Sequence, residues 1–349
     1  MIAEILLLGT IATVISLLLT PIVKRLAIKI GAVDYPNERK VHEGVMPRLG
    51  GLAIFLSFLV VSLAFAEKSS TYTGLILADL IIVLTGIADD TKGLGPKLKL
   101  MGQVLAALVL VEFGFRINFI VFPITSYIFL ERASVIATVL WLVGVTNAIN
   151  LIDGLDGLAA GTVLFAVFFI SVSAYRIGLM PAVLLGAIFG GSILGFLPYN
   201  FNPASIFMGD TGSMLLGFNV AALAILGMTK SVTAISLLLP VVILGIPILD
   251  TLWAILRRAS TGKKIFEADK KHLHHRLLNI GLSHRNTVLT IYAIDVVLGV
   301  CAMFIQSLGS WWSLVILVAL AALLITMAVR LGIASDEKLD AKQEEEHES

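Results

Sequence analysis

Residues 133–175 run ASVIATVLWLVGVTNAINLIDGLDGLAAGTVLFAVFFISVSAY. Two apolar segments, each near the length that crosses a bilayer, flank a polar insert holding Asn147, Asn150, Asp153 and Asp156. The flanks are apolar on every face rather than along one stripe, which suits helices surrounded by lipid or by other helices. The polar residues recur at steps of three, so a continuing helix would gather two amides and two carboxylates on one face. Gly154 and Gly157 would leave that face low and let a ligand approach the backbone. Carboxylates at the edge of a membrane segment are costly and call for a function.

The rest of the chain repeats this pattern. Of 349 residues, 58% are hydrophobic and 14% charged, with a mean hydropathy of +0.98, far from a soluble domain. The alternation of a membrane barrel is absent, and Val232 to Ile248 is again apolar all round. The expected class is all-α, a polytopic integral membrane bundle of about eleven spans. These fall near 2–23, 50–66, 72–88, 100–115, 133–149, 158–175, 180–197, 211–228, 232–256, 286–306 and 311–330. Segment 117–130, broken by Pro123, is expected as an interfacial or re-entrant piece on the outer side. Residues 1–334 then form one membrane domain, and 335–349 an acidic, solvated tail. Glu4 stands where a signal peptide would be basic, so the first span is expected to be retained. The single Cys301 lies in an apolar run and excludes a disulfide framework or a metal–thiolate site.

Orientation follows from the basic residues. With the N-terminus outside and the C-terminus inside, the outer face carries only Lys68, Arg116, Arg132, Arg176 and Lys230 of the 25 lysines and arginines. The polar stretches 34–51, 89–99, 147–157, 198–213 and 262–285 then all face the cytoplasm, as one site would require. The net charge of +1 names no partner by itself, and no nucleic-acid partner is expected.

Each stretch has its own chemistry. In VDYPNERKVHEGVMPRLGG, residues 33–51, Lys40 and Arg48 sit among prolines and glycines as donors to an anion, whereas Lys24, Arg25 and Lys29 are read as topological charges. Asp89 and Asp90 close a span in GIADDTKGLGPKLK, to be balanced by Lys92, Lys97 and Lys99 or by a divalent metal. Asp210, in FMGDTGS, either caps the next helix or joins a cation beneath a phosphate, with Asn200 and Phe207 ahead of it as an amide and a stacking face. His272, His274 and His275 lie beside Lys270, Lys271 and Arg276, a basic cluster that fits an anion better than zinc. Asp79, Asp250 and Asp295 lie in or near spans, and the sequence does not connect Asp79 or Asp295 to the cytoplasmic set.

Taken in order, DYPNERKVHEGVMPRLGG, GIADDTKGLG, NAINLIDGLDGLAAG, FMGDTGS and HLHHRL resemble the motifs of the polyprenyl-phosphate N-acetylhexosamine-1-phosphate transferases, over nearly the whole chain before the tail. The resemblance implies an enzyme of the inner (cytoplasmic) membrane. It would move a sugar phosphate from a UDP-amino sugar to a lipid phosphate such as undecaprenyl phosphate, release UMP and need Mg²⁺, with Mn²⁺ as a substitute. It also implies that Asp210, with Asp90, holds the metal, that Asp89 and Asp90 stand at the reaction centre, and that Lys40, Asn150 and Asp153 hold the diphosphate and ribose. Arg48 and Asn147 join the substrate site, Asp156, Asn200 and Phe207 take the uracil, and His272, His274 and His275 meet phosphate or sugar. A homodimer is compatible with it. The form HLHHRL, with Leu273 interrupting the histidines, resembles the UDP-GlcNAc branch more than the MurNAc-pentapeptide branch. An ion-coupled transporter would instead show acids at mid-membrane and an internal repeat. In a CDP-alcohol phosphotransferase the Asp-Gly motif would continue into Ala-Arg and further aspartates, which 153–161 does not do.

Overall fold

The computed structural model describes residues 1–35, 44–65, 69–121, 127–229, 238–260 and 272–307, with scattered positions between 312 and 326. The chain runs α1 (Ile2–Ile30), β1 (Val33–Asp34), β2 (Met46–Pro47), α2 (Gly50–Phe65), α3 (Ser70–Lys92) and α4 (Pro96–Glu112). It continues with β3 (Phe119–Val121), β4 (Tyr127–Phe129), α5 (Ala133–Ile152), α6 (Leu158–Arg176), α7 (Met180–Asn200) and α8 (Gly209–Thr229). The described chain ends with α9 (Leu238–Ile243), α10 (Gly245–Ser260), α11 (Leu273–Asn279) and α12 (His284–Ser307).

Seven of these helices, α1, α3, α5, α6, α7, α8 and α12, are long and apolar enough to cross a membrane, and α2 is a shorter apolar helix. The expected number of about eleven is therefore met only in part. The span expected at 232–256 is two pieces, α9 and α10, parted at Leu244 just before the Gly245-Ile246-Pro247 step. Pro247 has no N–H to continue a helical ladder across that step, so a helix starts there more easily than it passes through. The segment expected at the outer interface is a hairpin, Phe119 opposite Phe129, around residues that lie outside those described. The expected span 311–330 and the tail 335–349 likewise fall mostly or wholly outside them.

Helix α8 is the hub. Its membrane-length window is 83% buried, against 17% for the peripheral α1, and α2, α3, α5 and α6 pack around it. Lipid supplies no hydrophobic drive between apolar helices, so close packing of small residues has to hold them. A Cβ on Gly51 of α2 would lie 2.1 Å from Gly212 Cα, and one on Gly86 of α3 would lie 2.3 Å from Thr211 Cα. Both approaches bring helix backbones against the first turn of α8. Polar pairs tie other crossings: Asn219 donates to Asp79 Oδ1 at 2.7 Å, and Thr162 Oγ1 to Asp295 Oδ2 at 2.7 Å. Asp79 and Asp295 thus link α3 to α8 and α6 to α12, each keeping its other carboxylate oxygen buried and without a partner among the described residues.

A candidate active site at the helix ends

Four helix ends meet at Asp210. Helix α3 stops at Gly93, whose left-handed backbone (φ 68°) lets its N–H bond back to the Asp89 carbonyl at 2.8 Å, leaving Asp89 and Asp90 on the last turn. Asp89 Oδ1 accepts from Leu94 N at 2.7 Å and Oδ2 from Lys99 Nζ at 3.2 Å. The same Lys99 ammonium donates to Asp210 Oδ2 at 2.7 Å, so one lysine of α4 bridges α3 and α8. Asp210 Oδ1 accepts from Asn150 Nδ2 of α5 at 2.8 Å, and Asn150 also reaches Ser213 Oγ at 2.7 Å. The sequence offered three lysines to balance the aspartates; the fold selects Lys99.

Asp90 is turned the other way. Its Oδ1 accepts from Arg48 Nε and Nη2 at 3.1 and 3.0 Å and from Asp210 N at 2.9 Å. Its Oδ2 accepts from Thr211 N at 3.0 Å and Thr211 Oγ1 at 2.6 Å. Five donors fill the lone pairs of this carboxylate, which caps the start of α8 from a neighbouring helix. The expected metal role of Asp90 finds no oxygen left over. Arg48, expected as an anion donor, is committed to Asp90 and lies 4.0 Å from Asp34, although it still lines the cleft described below.

The insert at 147–157 departs from the single helical face that its spacing suggested. Helix α5 ends at Ile152, Asp153 occupies the cap position, and Gly157 turns the chain with φ 80° into α6. Asn147 faces α4 and exchanges hydrogen bonds with Gln103, giving at 2.7 Å and taking at 3.5 Å. It does not line the cleft, so its expected substrate contact is replaced by a helix-to-helix amide pair. The space a side chain would take at these glycines is filled from within the protein: a Cβ on Gly154 would lie 2.4 Å from His274 Nε2, and one on Gly157 would lie 3.0 Å from the Phe201 ring. Protein side chains occupy those spaces.

Asp153, Asp156, Asn150, Asn200, Phe207 and Asp210 line one cleft of about 210 Å³, with Asp34, Arg48, Gly154, Leu155, Met208 and Gly209. Phe207 is held there by backbone bonds to the loop before α2, its N–H donating to Pro47 O at 2.8 Å and its carbonyl accepting from Gly50 N at 3.0 Å. Asn200 is buried and donates to Ile206 O at 3.1 Å. Asp156 Oδ2 accepts from Asn202 Nδ2 at 3.1 Å and Ala204 N at 3.0 Å. Asp153 has no such partner among the described residues. Burial, then the charges of Asp210, Asp90 and Asp156, push its carboxyl up to about 8. A larger apolar groove of about 560 Å³ between α1, α6 and α7 has no carboxylate, amine or imidazole in its lining and so lacks the means for this chemistry.

The histidines do not line the cleft. His272 caps α11 and its Nδ1 meets Asp250 Oδ2 at 2.8 Å, while Asp250 Oδ1 accepts from Leu273 N at 2.9 Å. His274 lies parallel to His272 with ring centres 5.8 Å apart, and its buried Nε2 has no hydrogen-bond partner among the described residues. Burial, with the neighbouring histidines, pushes its pKa down to about 3, so the ring is neutral. His275 stands 4.3 Å from His274. Lys40 lies outside the described residues. Among those described, no three His, Cys, Asp or Glu side chains converge as a metal-ligand group. Gln103, His284 and Tyr292 complete the surroundings and carried no individual signal in the sequence, whereas Lys99 was one of three lysines and Asp250 one of three acids in or near spans; each is recruited across the fold.

The profile of glycosyl transferase family 4 matches residues 72–228. The chain is 45% identical to a probable undecaprenyl-phosphate N-acetylglucosaminyl 1-phosphate transferase of Bacillus subtilis (strain 168), over 92% of this chain and 90% of that one. It is 39% identical to a decaprenyl-phosphate N-acetylglucosaminephosphotransferase of Mycobacterium tuberculosis (strain CDC 1551 / Oshkosh), over 83% and 79%. It is 34% identical to a phospho-N-acetylmuramoyl-pentapeptide-transferase of Shouchella clausii (strain KSM-K16), over 86% and 94%.

Proposed function

The chain belongs to glycosyl transferase family 4, and we propose that it transfers N-acetylglucosamine 1-phosphate from UDP-GlcNAc to undecaprenyl phosphate at the cytoplasmic face of a membrane, releasing UMP. The observation that carries this reading is the convergence of Asp89, Lys99, Asn150, Asp153 and Asp210, from four helices and one loop, beside a cleft with an aromatic face at Phe207. The choice of sugar is supported by the higher identity to GlcNAc-phosphate transferases than to the MurNAc-pentapeptide enzyme.

The cleft fits Mg²⁺. This ion takes one or two carboxylates and completes its shell with substrate phosphates and water, so a cluster of three protein ligands is not required. Asp210 would hold it, and Asp153, without a side-chain partner among the described residues and with its carboxyl pushed up to about 8 by burial and then by the charges of Asp210, Asp90 and Asp156, marks a place where a cation relieves repulsion. When bound, the ion supplies charge neutralisation on the donor diphosphate. Mn²⁺ would serve in the same way. Asp90 anchors the start of α8, and Lys99 keeps Asp89 and Asp210 together despite their like charge.

A phosphate monoester has its second pKa near about 6, so the lipid phosphate is already a dianion at neutral pH and needs no general base. The task left to the protein is to hold two anionic substrates in line. An oxygen of the lipid phosphate attacks the sugar-side phosphorus of the donor, the bond to the bridging oxygen breaks, and that oxygen leaves on UMP. The uracil stacks on Phe207 with Asp156 and Asn200 beside it, and Asn150 and Asp153 border the ribose and diphosphate. Purified protein in detergent, given Mg²⁺ and undecaprenyl phosphate, should release UMP faster from UDP-GlcNAc than from UDP-MurNAc-pentapeptide; the reverse order would overturn the sugar assignment. One displacement inverts the configuration at phosphorus, and net retention would replace it by a covalent route.

A further inference from the structure

Helix α12 grips the loop between α5 and α6 at two points that the reaction as derived does not use. The backbone N–H of Asp156 donates to His284 Nε2 at 2.9 Å, in the first turn of α12. Two turns on, the Tyr292 hydroxyl donates to the Gly157 carbonyl at 2.5 Å and fills the space left by the missing side chain of Gly161. The peptide units on either side of the Asp156–Gly157 step are therefore fixed from α12. The Asp156 side chain is fixed at one oxygen by Asn202 and Ala204, while its other oxygen has no partner among the described residues, and Asp156 lines the cleft.

The bond to His284 has a chemical requirement. The Asp156 N–H is the donor, so Nε2 must present a lone pair, and the ring must be neutral with its proton on Nδ1. A side chain without an acceptor would leave this loop N–H to water, which satisfies it without fixing its direction. The peptide plane before Asp156 sets where the Cα–Cβ bond points, and hence where the free carboxylate oxygen stands in the cleft.

We propose that His284 is a positioning residue for the sugar-nucleotide donor: by accepting from the Asp156 N–H it aims the Asp156 carboxylate into the donor cleft, with Tyr292 holding the Gly157–Leu158 peptide. This rests on the reading of the cleft as the UDP-sugar site. It predicts an effect on the donor alone, because Asp156 lines the cleft assigned to the donor and no contact with the lipid phosphate is assigned to it.

The test uses the full chain in detergent with Mg²⁺, varying UDP-GlcNAc at saturating undecaprenyl phosphate and then the converse. His284→Leu should raise KM for UDP-GlcNAc about tenfold, the scale of one lost oriented hydrogen bond, and change kcat and the KM for the lipid by less than about twofold. His284→Gln should come back to within about threefold of wild type, since its amide oxygen can accept from the same N–H. If the leucine variant does not fold, His284→Lys, which cannot accept, replaces it in the comparison with glutamine. Wild-type kinetics in His284→Leu would overturn the inference, as would equal losses in the leucine and glutamine variants or equal effects on both substrates. Absence of UMP release from the wild-type protein would instead overturn the transferase reading, and the inference with it.

Discussion

At Asp210 the carboxylate meets an amide from α5 on one oxygen and an ammonium from α4 on the other, and the ammonium also reaches Asp89. Such a centre works by arranging charge, so removing a charge while keeping the shape is the informative change. Asp210→Asn should lower turnover by at least about 100-fold, the scale seen when a group that stabilises developing charge is lost, with helical circular dichroism unchanged. Lys99→Met should fall comparably, because Asp89 and Asp210 would then repel each other unscreened. Near-normal UMP release by either variant across a Mg²⁺ titration would contradict the roles given to them. His274 offers a measurement on stability. Its folded pKa is pushed down to about 3, mainly by burial, whereas an unfolded histidine titrates near about 6.5. Between those values the unfolded chain binds more protons, so the contribution of His274 is complete at neutral pH and is lost as pH falls through about 6.5 toward 3. Thermal unfolding in detergent should shift downward over that window, and His274→Asn should reduce the slope. An identical slope in the variant would show that His274 is protonated in the fold.

At the scale of elements, α8 is seated by backbone approach. A Cβ on Gly86 would come within 2.3 Å of Thr211 Cα and 2.6 Å of Thr211 N, the same N–H that Asp90 accepts. Backbone cannot yield as a flexible side chain can, so Gly86→Val should cost about 1–3 kcal/mol of stability and should also cost activity, by parting α3 from the first turn of α8. Gly144, on α5, is exposed and has nothing within 4 Å of the position a Cβ would take. Gly144→Ala should therefore match wild type in both thermal unfolding and UMP release. Loss of stability in Gly86→Val without loss of activity would separate helix packing from the geometry of the site.

At the scale of the whole molecule, the membrane class and the gathering of polar motifs at helix ends were legible because hydropathy reports directly on the cost of exposing polar groups to lipid. Asp210, Asn150, Asp153, Asp156, Asn200 and Phe207 were legible too, as polar or aromatic exceptions beside apolar runs, and they line one cleft. What was not legible depends on partners distant in sequence. Asn147 and Asn150 differ by three positions on α5, yet one faces Gln103 and the other Asp210, a choice set by where α4 and α8 pack. Gly154 and Gly157 looked like space for a ligand, and the fold gives that space to His274 and Phe201. Lys99 was one of three equivalent lysines until α4 brought it between two carboxylates.

If this membrane bundle joins a sugar phosphate to a lipid phosphate, the lipid product identifies the reaction. Purified protein with Mg²⁺, undecaprenyl phosphate and UDP-GlcNAc should yield, by mass spectrometry, undecaprenyl-diphospho-GlcNAc and UMP in equal amounts, with neither formed by Asp210→Asn. UMP without the diphospholipid, or a diphospholipid formed equally well by Asp210→Asn, would contradict the account.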